Sequence, residues 1–115
     1  MKTFVSILIL TVIIGCQEKN PAPATVPDCI QQVIEKIRQE TVWNPPARVY
    51  RYEFKGQEVY YIPPRCCDIP SVVIARCDTL CAPDGGFTGK GDGRCPDFAR
   101  EARNPVLVWE DTRSK

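Results

Sequence analysis

Seven cysteines constrain this chain most: six fall between residues 29 and 95, and the seventh, Cys16, closes an apolar leader. Met1-Lys2 gives a positive start and Phe4-Val5-Ser6-Ile7-Leu8-Ile9-Leu10-Thr11-Val12-Ile13-Ile14 is almost wholly apolar, the form of a secretory signal peptide. A leader of this kind delivers the rest of the chain to an oxidising compartment. Cys29, Cys66, Cys67, Cys77, Cys81 and Cys95 are therefore expected as three disulfides. Six cysteines allow fifteen pairings, and spacing does not choose among them. Adjacent Cys66 and Cys67 are poorly placed to bond each other across a trans peptide, so two separate partners are expected, with Cys29 a candidate for one. Zinc is the competing use of cysteine. The chain has no histidine and no second cysteine pair to match Cys77-Asp78-Thr79-Leu80-Cys81, which weighs against it. Thiol-redox chemistry at Cys66-Cys67, or at Cys77 and Cys81, lacks the Cys-x-x-Cys spacing of thioredoxin-like proteins.

The leader ends in Ile13-Ile14-Gly15-Cys16, an order that resembles the lipobox of bacterial lipoproteins. The resemblance implies cleavage before Cys16 and acylation of its thiol, with palmitate-like chains as the membrane anchor. Several chains on one residue hold a protein stably, at roughly 0.8 kcal/mol per buried CH₂. The chain then divides into three parts: a signal peptide (1–15), a lipidated, proline-rich tether (16–27) and one domain (28–115). Gln17 is not the aspartate that resembles an inner-membrane retention signal, so the expected place is the bacterial cell envelope with the outer membrane favoured. Lys2 is the only charged residue of the leader. The mature chain thus keeps fourteen basic and fourteen acidic residues, which leaves no basic footprint for nucleic acid.

Ile30, Val33, Ile34 and Ile37 follow the spacing of one helical stripe, with Asp28 and Gln31 placed as a capping box. This predicts a helix from Asp28 that stops before Asn44-Pro45-Pro46. Residues 48–54 and 57–62 alternate around Lys55-Gly56 and predict a hairpin. Its Tyr50, Tyr52 and Phe54 share one face, expected to pack on the helix. Residues 71–75 predict a third strand, and Asp78 to Pro96 a long loop. Asp97 to Arg103 predict a turn or two of helix, and Val106 to Trp109 a last strand. The fold class is α+β: an N-terminal helix on a small, mostly antiparallel sheet, disulfide-stapled, with a long glycine-rich loop.

That loop, Asp84-Gly85-Gly86-Phe87-Thr88-Gly89-Lys90-Gly91-Asp92-Gly93-Arg94-Cys95-Pro96-Asp97, invites three readings. Asp84, Asp92 and Asp97, with Asp78 nearby, supply hard oxygens suited to calcium. Against an EF-hand, Gly86 and Cys95 stand where ligands belong. Gly89-Lys90-Gly91 lacks both the leading glycine and the Ser or Thr of a P-loop. The remaining reading is structural, with glycines permitting tight turns between tied cysteines.

Tyr60-Tyr61-Ile62-Pro63-Pro64-Arg65-Cys66-Cys67-Asp68 and the stretch Cys81-Ala82-Pro83-Asp84 through Phe98 together resemble an uncharacterised family of small lipoproteins of Gram-negative bacteria, a domain of unknown function. The resemblance covers residues 28 to 111. It implies one domain and a lipoprotein, and carries no activity, substrate or catalytic residue.

Without histidine the commonest general base is missing, and no activated serine or cysteine stands out. Carboxylate pairs such as Glu53 with Glu58 across the hairpin could in principle serve hydrolase chemistry, but they fall on an exposed strand pattern with no sign of a cleft. The expectation is a non-catalytic binding or structural module whose partner is an envelope protein or glycan. A calcium-binding or inhibitor-like module is the alternative, and a thiol-redox protein or envelope hydrolase the next.

Overall fold

The computed structural model describes residues 26–65 and 68–114. The leader, Cys16, the tether through residue 25, and Cys66 and Cys67 lie outside the described residues.

Helix α1 spans Asp28–Arg38. Pro27, extended at ψ 151°, is its N-cap, so Asp28 is the first helical residue and not the cap expected from the capping box. Gln31 reaches back instead to the carbonyl of Val26, at 3.1 Å. The expected stripe is the buried one: Ile30, Ile34 and Ile37 are buried and Val33 is half-buried. Full burial of a side chain such as Ile30 contributes roughly 1.5–3 kcal/mol. The last carbonyls of α1 have a partner far along the chain. Arg113 donates to the carbonyls of Arg38 (2.6 Å), Glu40 (3.1 Å) and Ile37 (3.3 Å), and the buried Asp111 grips the same guanidinium at 2.8 and 3.0 Å. A cation there satisfies orphan carbonyls and complements the helix dipole.

Strands β1 (Arg48–Phe54) and β2 (Gln57–Ile62) pair antiparallel, as expected, around Lys55-Gly56, both at positive φ (50° and 76°). That is the turn geometry that matches strand twist. Strand β3 (Val72–Ala75) pairs with β2, and β4 (Asp78–Cys81) with β3. The segment beginning at Asp78 is therefore a strand, where the sequence predicted loop. The turn between β3 and β4 is Arg76-Cys77, again with both φ positive (52° and 66°), yet it contains none of the residues that advertise such a turn. A four-residue helix α2 (Phe98–Glu101) is shorter than expected, and β5 (Arg103–Glu110) is longer. β5 pairs antiparallel with β1 and has register shifts at two places. Asn104, at φ 55°, lets the chain pass through Asn104-Pro105 without ending the strand. The sheet order is β4-β3-β2-β1-β5, antiparallel throughout.

Both faces of the sheet are covered. Ile30 and Ile34 cluster with Val49, Tyr60, Ile62 and Ile74 on one face. On the other, Phe54, Val59 and Val73 cluster with Cys81, Cys95 and Phe98, and Tyr52 and Tyr61 pack against them. The aromatic face of the hairpin thus does not meet α1, contrary to expectation. Topology is the cause. The chain leaves β4 at one edge and must reach β5 at the other, and residues 82–102 make that crossing over the aromatic side.

Candidate functional site

The crossing segment is built before it is functional. Cys81 bonds Cys95, closing a short loop over the core. Ser71, fully buried, donates its hydroxyl to the Asp84 carbonyl (3.0 Å) and accepts from the Asp84 N–H (3.1 Å). Tyr61 donates to the Asp84 carboxylate, lying 3.0 Å from each oxygen. Gly91 then lies against the backbone of Ala82–Asp84, so close that a Cβ there would fall 1.8 Å from the Ala82 carbonyl oxygen. The N–H groups of Gly91 and Asp92 donate to Gly85 and Ala82 at 3.1 and 2.8 Å. Between these ties Gly86-Phe87-Thr88-Gly89 turns outward, the Gly89 N–H donating to the Gly86 carbonyl at 3.2 Å. Phe87, at its tip, is 90% exposed, with Lys90 exposed close behind. A large apolar side chain held out by a fixed loop is suited to entering a partner's pocket.

The three candidate calcium carboxylates are each engaged elsewhere. Asp84 holds Tyr61, Asp92 holds the Arg94 guanidinium at 2.9 Å, and Asp97 holds the Lys55 ammonium at 2.9 Å. They are not brought together. Among the described residues no group of three or more His, Cys, Asp or Glu side chains is placed to hold a metal ion. The fourth, Asp78, starts β4. The backbone N–H of Arg94, followed by its side chain, holds the Asp92 carboxyl below the usual carboxylate range, and Lys55 does the same for Asp97. Because these folded-state pKa values are depressed, the stability they add is present above about pH 4 and is lost as pH falls through them. The loop ties are expected to loosen in acid, seen as faster amide exchange at residues 84–97 at pH 3 than at pH 6 after correction for intrinsic rates.

Burial, and next the Asp84 charge, pushes the Tyr61 phenol well above its ordinary range. Burial and then the bond to Glu58 push Tyr60 up to about 12. A raised folded-state pKa means stability that is complete below about pH 10 and lost as pH rises through the folded value. Tyrosinate absorbance of the native protein should therefore rise at higher pH than that of the urea-unfolded chain. Tyr61→Phe is expected to narrow the gap and, by leaving Asp84 without its partner, to cost about 1–2 kcal/mol in urea denaturation.

Glu53 and Glu58 do sit opposite each other in the β1–β2 register. They line an open cleft of about 570 Å³ with Lys55, Glu101 and Arg103. Both are exposed and already engaged, Glu53 by Asn104 at 2.9 Å and Glu58 by Tyr60 at 2.7 Å.

Cys29 bonds Cys77, so it is not the partner of Cys66 or Cys67 that the sequence suggested. Cys77 and Cys81 belong to different disulfides and do not form a redox pair. The sequence reading also passed over Ser71, Asp111 and Arg113. Isolated polar residues of this kind carry no periodic signal; burial marks Ser71 and Asp111, and hydrogen-bond partners mark all three.

Fold and site together define a small α+β domain, stapled by disulfides, with a helix on one face of an antiparallel sheet and a tied loop on the other. The chain belongs to the family described as a domain of unknown function, DUF6970, whose match covers residues 35–111 and so begins inside α1, later than the residue 28 expected. It is similar to a UPF0260 protein of Sinorhizobium medicae, 38% identical over 60 residues, which is 52% of this chain and 38% of that one. A UPF0260 protein of Rhizobium meliloti is 37% identical over the same shares. The match thus spans well under half the length of these relatives. No solved structure matches.

Proposed function

We propose that this chain is an extracytoplasmic lipoprotein, acylated on Cys16 and anchored in the bacterial cell envelope, whose domain is a non-catalytic module that binds an envelope protein or glycan through the loop tip at Phe87. The observation that carries the binding part is the contrast within one loop. Residues 84, 85 and 91 are locked by half-buried contacts, while Phe87 is 90% exposed at the end they support. Preorganisation of this kind lowers the entropy lost on binding. The leader that ends in Gly15-Cys16 supports the anchor. Among the described residues no helix is long and apolar enough to cross a membrane.

Two measurements test the two parts. Mass spectrometry of the mature N-terminus should find a chain that starts at an acylated Cys16, and an unmodified Cys16 removes the anchor. A photo-crosslinking residue at position 87, introduced in cells, should give one discrete adduct that is absent when it replaces the exposed Thr41. Equal patterns at the two positions would leave the structural role and remove the binding one.

A further inference from the structure

The two disulfides among the described residues stand in opposite settings. Cys81 and Cys95 are 1% and 5% exposed, inside the cluster under the crossing segment. Cys77 is exposed and Cys29 half-buried. Both line two clefts, one of about 420 Å³ toward Glu58 and Tyr60 and one of about 350 Å³ toward Val33 and Lys36. A thiol can therefore approach this bond and not the other. The backbone differs too. Arg76 and Cys77 hold positive φ without a glycine, a conformation that side-chain-bearing residues resist, so the Cys77 end of the bond sits on a strained turn. Finally, Cys29 is the second residue of α1, where unsatisfied N–H groups and the helix dipole favour a thiolate over a thiol.

We propose that Cys29–Cys77 is a thiol-exchange site, a latch between the N-terminal end of α1 and the β3–β4 turn that an external dithiol opens while Cys81–Cys95 stays closed. A thiolate of the dithiol attacks Sγ of the exposed residue Cys77. The Cys29–Cys77 bond breaks, and Cys29 leaves with the electron pair as a thiolate at the helix start. The dithiol's second thiolate then attacks its own sulfur in the mixed disulfide and releases Cys77. The dithiol ends as a disulfide, and its two electrons and two protons end on Cys29 and Cys77. Opening frees the Ile30 end of α1, while Ile37 and the Arg113 clamp hold the other end. The latch depends only on an oxidised starting state and not on lipid at Cys16.

The test uses the full-length protein in detergent, exposed to graded dithiothreitol without denaturant, alkylated and peptide-mapped. Cys29 and Cys77 are expected to become alkylated at least about tenfold faster than Cys81 and Cys95, as exposed disulfides exchange ahead of buried ones. Equal rates, or earlier opening of Cys81–Cys95, overturn the proposal. A monothiol probe, glutathione, should be trapped on Cys77. An adduct found on Cys29 instead overturns the direction of attack. Hydrogen exchange of the reduced protein should show lost protection at residues 30–34 and retained protection in β1 and β2, and unchanged protection throughout would remove the latch.

Discussion

Gly91→Ala is expected to destabilise the domain by about 3 kcal/mol or more, lowering its melting temperature by roughly 10–20 °C. The added methyl has nowhere to go. Its Cβ would fall 1.8 Å from the Ala82 carbonyl oxygen and 2.7 Å from the Asp84 nitrogen, both backbone atoms that a rotamer change cannot move. The loop would have to open, giving up the Asp92-to-Ala82 and Gly91-to-Gly85 bonds. Positive φ at 69° adds the usual strain of an L side chain, about 1–2 kcal/mol. Gly89→Ala separates the two effects, since Gly89 also has positive φ, 72°, but nothing within 4 Å of its Cβ. It should lose only the conformational part, about 1–2 kcal/mol. Thermal denaturation of both variants with disulfides intact would show this, and equal losses would mean the contact with Ala82 does not matter.

Phe98→Ala should be at least as damaging, at about 3–5 kcal/mol. Phe98 is buried, and its ring centroid lies 5.2 Å from Phe54 and 5.4 Å from both Tyr52 and Tyr61. One side chain from a four-residue helix thus holds the crossing segment onto the aromatic face. Truncation leaves a cavity bounded by three rings, which the disulfide at Cys95, three residues away, prevents from collapsing freely. Phe98→Leu keeps most of the volume and should cost less than about 1.5 kcal/mol, if the site behaves as a packing site. Urea titration gives both values. A loss in Phe98→Ala no larger than in Phe98→Leu would show that the rings do not close the core.

How much of the fold could be read from the sequence depends on how far apart the deciding residues are. Helix α1 and the first hairpin were legible because their signals are local: Ile30, Ile34 and Ile37 repeat within three turns, and Lys55-Gly56 sits between two alternating runs. Strand β4 was not, because Arg76-Cys77 turns the chain without a Gly, Asn or Asp, and Asp78-Thr79-Leu80-Cys81 alternates too briefly to register. That one omission carried others with it. Without β4 there is no edge-to-edge crossing, so the aromatic face looked available to α1, and Cys77 did not look like a neighbour of Cys29. The start of β5 was hidden by Asn104-Pro105, which reads as a stop but serves as an irregularity in a continuing strand. At the loop, the spacing of Asp84, Asp92 and Asp97 is visible, while two of their partners, Tyr61 and Lys55, come from the hairpin more than twenty residues away.

The covalent tie at the start of α1 has a mechanical consequence. Cys29, the second residue of α1, is bonded to the β3–β4 turn. Tension applied through the N-terminal segment therefore does not peel α1 from the sheet turn by turn. It passes through a covalent bond into the β3–β4 hairpin, where backbone ladders must yield together. The weak direction of a small helix on a small sheet is taken out of the load path, and the non-covalent packing of Ile30, Ile34 and Ile37 is shielded from the pull.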